Sequence, residues 1–304
     1  MENSIVDHHL SEPSQRPKWK ISWLETIAAL MILAGLVTFL YPTIASWFSQ
    51  KEQSRVTALA LNKMDEPPGN DANLRKKQID LAHEYNKALA SGAIYRANEN
   101  IVHSDTRSET TGLEYNKLLN ASGDGFMGRL RYDALDIDLP IYHGTDDETL
   151  RQGIGHLEGT SLPVGGLETR SVLTAHRGLP ESTLFTHLDR AKVGDKFSIS
   201  VLDHVITYQV TDMVVIDPEE TEAILPVAGT DMITLVTCTP LGINSHRILV
   251  NAERVTPTPI EDVKAAEQAP EIPGFPWWAV ILGSATVGSA VVIWWSGRGR
   301  LPKS

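Results

Sequence analysis

Two long, mostly apolar runs, one near each end of this 304-residue chain, limit what it can fold into. A helix needs about 20 mostly apolar residues to cross the hydrocarbon core of a bilayer. Trp23 to Phe48 meets that length, with Ile27 to Leu40 as its apolar centre. Glu25 and Pro42 stand near its ends, where each costs less. The apolar core is long for a signal peptide and no clear small-x-small site follows it, so the run reads as an uncleaved anchor. The second run, Phe275 to Trp295, is bracketed by Trp277-Trp278 and Trp294-Trp295. Paired tryptophans at both ends form an interfacial aromatic belt, which argues against the alternative of a buried core helix. Arg16, Lys18 and Lys20 precede the first run, and Arg298, Arg300 and Lys303 follow the second. The positive-inside rule then puts both termini in the cytoplasm. The expected chain is a two-pass cell-membrane protein. It has a tail (1–22), a span (23–48), an extracellular segment (49–274), a second span (275–295) and a basic tail (296–304).

The extracellular segment carries no basic stripe and the chain's formal net charge is -11, which argues against nucleic-acid binding. Its first part, residues 49–125, reads as a helical extension. Leu74, Ile79, Leu81, Ala82, Tyr85 and Leu89 recur at helical spacing between Asp71 and Ala90. A second short piece is Tyr115-Asn-Lys-Leu-Leu119. Pro67, Pro68 and Gly69 break an earlier helix, and Ser91 to Thr111 has no periodicity and reads as a loop. From Phe126 the texture changes to short strands between turn residues. The candidates are Met127–Tyr132, Leu135–Ile141, Ser171–Ala175, Lys196–Val201, His204–Ile216, Met232–Thr237 and Arg247–Val255. Ile206, Tyr208 and Val210 alternate with Thr207, Gln209 and Thr211, as in a half-buried strand. Seven strands across 126–255 predict a mainly β domain, a closed barrel or a sandwich. Residues 256–274, rich in Pro, Glu and Ala, read as a linker to the second span.

A single cysteine excludes an internal disulfide framework and any zinc site built from several thiolates. Cys238 is therefore either a buried spectator or a nucleophile. It ends the apolar strand Ile233-Thr-Leu-Val-Thr237, just before Thr239-Pro240, and proline cannot continue a central strand. Nine residues later Arg247 opens the next apolar strand. Antiparallel pairing of these strands would put Arg247 beside Cys238, where it would favour the thiolate or donate to an oxyanion. A thiol nucleophile also needs a proton partner, usually histidine. His176 is well placed, at the end of Ser171-Val-Leu-Thr-Ala175 and before Arg177-Gly178. His156, His187 and His246 remain as weaker rivals, and His143 lies in the turn Tyr142-His-Gly144.

Thr234-Leu-Val-Thr-Cys-Thr-Pro240, followed by Gly242-Ile-Asn-Ser-His-Arg247, resembles the active-site strand and loop of the sortases. The likeness is greatest to class C, the pilin-polymerising sortases. Thr174-Ala-His-Arg-Gly178 resembles the histidine motif of that family. Gly123-Asp-Gly-Phe-Met-Gly128, Leu139-Pro-Ile-Tyr-His-Gly-Thr145 and Gly155-His-Leu-Glu-Gly-Thr-Ser-Leu-Pro-Val-Gly-Gly166 resemble further class C segments in the same order. The resemblance implies a closed sortase-type β-barrel and a cysteine transpeptidase that needs no cofactor and no metal. Cys238 would attack the Thr–Gly bond of an LPxTG-type signal, with His176 moving protons and Arg247 steadying substrate or oxyanion. Thr237 and Thr239 would line the substrate site. The partners implied are LPxTG-type pilin subunits and a lysine amine of the next subunit. Nothing in the sequence sets an oligomeric state.

Class C enzymes often carry an Asp-Pro-aromatic lid over the cysteine, and no such tripeptide occurs between residues 50 and 125. The nearest fragment is Ser104-Asp-Thr-Arg107, which leaves Asp105 as the candidate lid residue. Two other functions stay open: a housekeeping sortase that uses a cell-wall peptide amine, and a membrane-tethered binding module with a structural cysteine. Leu162-Pro-Val-Gly-Gly166 looks like a sorting signal, but no apolar span and basic tail follow it directly.

Overall fold

The computed structural model describes residues 21–65, 71–91, 113–120, 123–180, 182–270 and 272–298. The Pro67-Pro68-Gly69 break, the loop holding Asp105, and the charges Arg16, Lys18, Lys20, Arg300 and Lys303 lie outside the described residues. The chain divides into two units, with boundaries after Tyr41 and before Phe275.

The first unit contains the apolar parts of helices α1 (Trp23–Asp65) and α5 (Trp277–Ser296). Both are long and apolar enough to cross a membrane, and almost none of their apolar stretch is buried by protein. α1 does not stop at residue 48. It continues as a packing helix of the second unit, Pro42–Gly274, burying Gln53, Thr57 and Ala60 on one face. Ala60 packs with Phe126 and Tyr142 of the barrel.

Helix α2 (Ala72–Ala90) begins where the sequence predicts, because the Asp71 carboxylate accepts from the Asn73 amide (2.8 Å) and caps its first turn. It buries Ile79, Ala82, Tyr85, Asn86 and Leu89 against the barrel. The Asn86 side chain accepts from the Leu162 amide (2.7 Å) and donates to the Leu162 carbonyl (3.0 Å). Leu162 is 1% exposed, so the segment that looks like a sorting signal is part of the core.

Eight strands close into a barrel in the order β1-β2-β3-β4-β7-β8-β6-β5. They are β1 (Phe126–Tyr132), β2 (Ile137–His143), β3 (Ile154–His156), β4 (Thr169–Thr174), β5 (Lys196–Val201), β6 (His204–Ile216), β7 (Asp231–Thr239) and β8 (His246–Val255). Closure removes every sheet edge, which settles barrel over sandwich. Two pairings are parallel, β2 with β3 and β4 with β7. β3 was not expected: three residues centred on Gly155 are too short to alternate. Leu135 lies outside β2, in a 3-10 turn (Asp133–Leu135). Leu130, Ile141, Leu173, Ile199, Tyr208, Ile233, Leu235 and Val250 fill the interior.

Helix α3 (Asp147–Gln152) joins β2 to β3. Residues 256–274 are more than a linker. They include helix α4 (Ile260–Ala266), whose Asp262 accepts from Thr207 of β6 at 2.5 Å. That contact explains why Thr207 is buried although it alternates with the core residues. Arg131 and Arg129 of β1 donate to the Ala265 and Gln268 carbonyls at 3.0 and 2.7 Å. Trp47 Nε1 donates to the Gly274 carbonyl at 2.8 Å, so the chain enters and leaves this unit at neighbouring points.

Candidate active site

The barrel register assembles the site. β7 and β8 pair antiparallel with Cys238 opposite Arg247. β4 and β7 run parallel, with Leu173 opposite Leu235 and Thr174 opposite Val236. Two residues beyond that last pair, the same offset brings His176 level with Cys238. Side chains alternate between faces along a strand. Leu173, Ala175, Ile233, Leu235, Ile248 and Val250 point into the core. Thr174, His176, Val236, Cys238, Arg247 and Leu249 therefore share the outer face. Cys238 and Arg247 are paired neighbours on this face, and His176, two residues past the end of β4, continues the line of that strand beside β7.

All three are half-buried. Among the described residues neither the Cys238 thiol nor the His176 ring has a hydrogen-bond partner, so both are available to a substrate. Arg247 Nη1 donates to the carbonyls of Asn244 (2.9 Å) and His246 (3.0 Å). That anchors the guanidinium and leaves its Nε and Nη2 donors without a partner among the described residues. The arrangement puts a thiol, an imidazole and a guanidinium on one surface, groups with which acyl transfer can be carried out.

The two threonines beside Cys238 occupy different settings. Thr237 is 1% exposed and donates its hydroxyl to the Ala175 carbonyl at 2.9 Å. Its side chain ties the cysteine strand to the chain that carries His176, so any contact with substrate would come through its backbone. Thr239 Oγ1 accepts from Arg177 Nη1 at 3.1 Å. Arg177 was not among the expected site residues, although it stands in the histidine motif. The signal was a charged residue placed directly between a candidate base and a turn glycine.

The rival histidines have other duties. His156 is fully buried; its Nε2–H donates to the Ser161 carbonyl (2.9 Å) and its Nδ1 meets the Tyr115 hydroxyl (2.9 Å). Burial pushes its pKa down to about 4. His143 is held between the carbonyls of Gly125 and Leu118. His246 faces Asp217 at 3.3 Å, and His187 precedes the 3-10 turn Leu188–Arg190. Among the described residues no cluster of His, Cys, Asp and Glu is placed to hold a metal ion. Asp105 lies outside the described residues.

Along the outer face of β4 and β7, away from Cys238, the next anchor is buried Arg170. It donates to Thr234 Oγ1 (2.8 Å), to Asn251 Oδ1 (2.6 Å) and to the carbonyls of Ala223 (2.8 Å) and Leu225 (2.9 Å). The last two bonds pin the β6–β7 loop over the sheet. Beside it lies a cavity of about 500 Å³, walled by Thr160, Ser161, Glu168, Ile224, Leu225 and Pro226 among others. Arg170 pairs in register with Met232, six residues before Cys238. The face between them is about 20 Å long at the usual strand rise.

A family model described as the sortase domain matches residues 130–255. The chain is similar to the crystal structure of sortase C1 from Streptococcus agalactiae, at 39% identity and a TM-score of 0.57, covering 67% of this chain and 100% of that one. It is similar to sortase A from Corynebacterium diphtheriae at 33% identity and a TM-score of 0.54, covering 70% and 95% of the two chains. Among curated proteins it is 32% identical over 130 residues to sortase A of Streptococcus agalactiae serotype III, 42% of this chain and 52% of that one. The match thus spans about half the length of that curated relative.

Proposed function

This chain belongs to the sortase family, and on that premise we propose that it is a membrane-anchored cysteine transpeptidase that polymerises pilin subunits. The observation that supports the reading is the pairing of Cys238 with Arg247 across β7 and β8, with His176 two residues past the end of the neighbouring β4. The Cys238 thiolate attacks the carbonyl carbon of the Thr–Gly bond in an LPxTG-type signal. A C–S bond forms, and Arg247 donates hydrogen bonds to the oxyanion or to the neighbouring substrate carbonyl. The C–N bond then breaks as protonated His176 gives its proton to the leaving glycine amine. In the second half a lysine amine of the next subunit attacks the thioester. It loses its proton to His176, and the thiolate is regenerated.

The outer face supports a peptide substrate. Five extended residues span about 17 Å, and the surface from Cys238 to Arg170 is slightly longer. The two apolar helices fit a protein held in the membrane with its barrel outside and both ends in the cytoplasm. Substrates held at the same surface meet the site at raised effective concentration.

Attachment of surface proteins to a cell-wall peptide amine is the second reading, favoured by the similarity to a sortase A. The test is Cys238→Ala in the cells that make the protein, followed by gel analysis of surface proteins. Loss of a high-molecular-weight ladder is expected. An intact ladder with surface proteins released from the wall would favour the second reading. Retained cleavage of an LPxTG peptide by purified Cys238→Ala would sink both.

A further inference from the structure

We infer that Arg177 is the positioning residue that sets how far the His176 imidazole stands from the Cys238 thiol. The inference rests on the cysteine–histidine chemistry proposed above. The regular β4–β7 ladder ends with Thr174 opposite Val236. One weaker bond continues it, from the Ala175 amide to the Val236 carbonyl at 3.3 Å. His176 therefore lies past the strand, and something other than the ladder must hold it.

Arg177 is that support. Its side chain is 7% exposed and makes three contacts on two separate segments. Nε donates to the Thr186 carbonyl (3.1 Å), Nη2 pairs with Asp189 (2.7 Å), and Nη1 donates to Thr239 Oγ1 (3.1 Å). Its backbone is bonded to His176 on one side. Its side chain holds the residue directly after Cys238 on the other. The Phe185–Asp189 segment braces the same loop, because the Phe185 amide donates to the His176 carbonyl at 3.1 Å. Gly178, at φ +75°, turns the chain so closely under Leu241 that a Cβ there would lie 2.4 Å from Leu241 Cδ2. Leu241 belongs to the loop that follows Cys238, so the turn and the guanidinium clamp the histidine loop to the cysteine loop at two points.

A planar guanidinium satisfies three acceptors in three directions, and a lysine ammonium on its flexible stem does not. Asp189 neutralises the charge locally, so geometry is the main thing Arg177 contributes. The test compares Arg177→Lys, Thr239→Val and the double variant in the full chain, purified in detergent. Peptide cleavage is read as kcat and KM, and Cys238 alkylation is read against pH without peptide. Each single variant should lower kcat by about 10²-fold, the scale of a 1 Å misplacement, with KM nearly unchanged. The double should be no worse than the poorer single, and both singles should share one altered alkylation profile. Additive losses, or parent-like kcat and alkylation profiles in folded protein, would overturn the inference. If Arg177→Lys does not fold, Thr239→Val decides alone, since it removes only the acceptor and keeps the volume. If the parent cleaves no LPxTG peptide, the proposed function fails, and the alkylation profiles still test Arg177.

Discussion

Arg247 directs one nitrogen, Nη1, at the carbonyls of Asn244 and His246, which fixes the plane of the guanidinium over the outer face. Lysine at this position keeps the charge and loses both the fork and its orientation. Arg247→Lys should therefore cost at least about 100-fold in kcat, the scale of removing one oxyanion donor. Peptide cleavage by the purified variant measures this, and a near-parent rate would make Arg247 structural. His156 belongs to stability. Burial depresses its folded pKa to about 4, against 6.5 for an ordinary histidine. The unfolded chain then binds the extra proton more readily between those values. The stability contribution is complete above pH 6.5 and is lost as pH falls toward 4, by up to about 3 kcal/mol. Thermal unfolding at pH 7.5 and pH 4.5 should show a smaller acid loss in His156→Gln than in the parent. Equal losses would assign the titration to another group.

At the scale of elements, α2 packs an apolar face on the barrel with one buried polar residue in it, Asn86, while Arg75 at its start pairs with Asp203 of the β5–β6 turn. Asn86 pairs with both backbone groups of Leu162, as a neighbouring strand would. Removing it leaves a buried amide and a buried carbonyl without partners. Asn86→Ala should lower unfolding stability by about 1–3 kcal/mol, measured by denaturant titration; an unchanged midpoint would show that water replaces the amide. The helix itself was legible, because Ile79, Ala82 and Leu89 repeat at helical spacing. Its docking partner was not, since Asn86 and Leu162 are 76 residues apart. β3 escaped for another reason. Three residues hold too little alternation to register, and only the neighbours Ile141–His143 and Leu173–Thr174 make them a strand.

At the scale of the whole molecule, the segment after β8 is held to the barrel by arginines of β1. Arg129 makes two bonds of 2.6 Å to Asp138 and a third of 2.7 Å to the Gln268 carbonyl. Its side chain is 1% exposed, and that of Asp138 is 14%. Removing one partner of such a buried pair costs about 3–5 kcal/mol. Arg129→Ala in detergent-purified protein should unfold at lower temperature and be cut faster by protease within 256–274. Unchanged cutting there would mean that α4 alone holds the segment. What the sequence determined by itself was local or additive. The lengths and flanks of the two apolar runs, the period-two alternation of β6, the apolar spacing of α2 and the isolation of a single thiol all follow from neighbours along the chain. The nearness of Cys238 and Arg247 was half local, since a nine-residue separation can close through one antiparallel turn. His176 and Cys238 are 62 residues apart, and the chain ends that carry them are neighbours only because β4 and β7 pair in parallel, a choice made when the barrel closes. Arg177, Arg170 and Arg129 look like ordinary surface charges in sequence. Tertiary structure made them buried anchors, because a guanidinium can leave water only where the fold brings several distant acceptors to it at once.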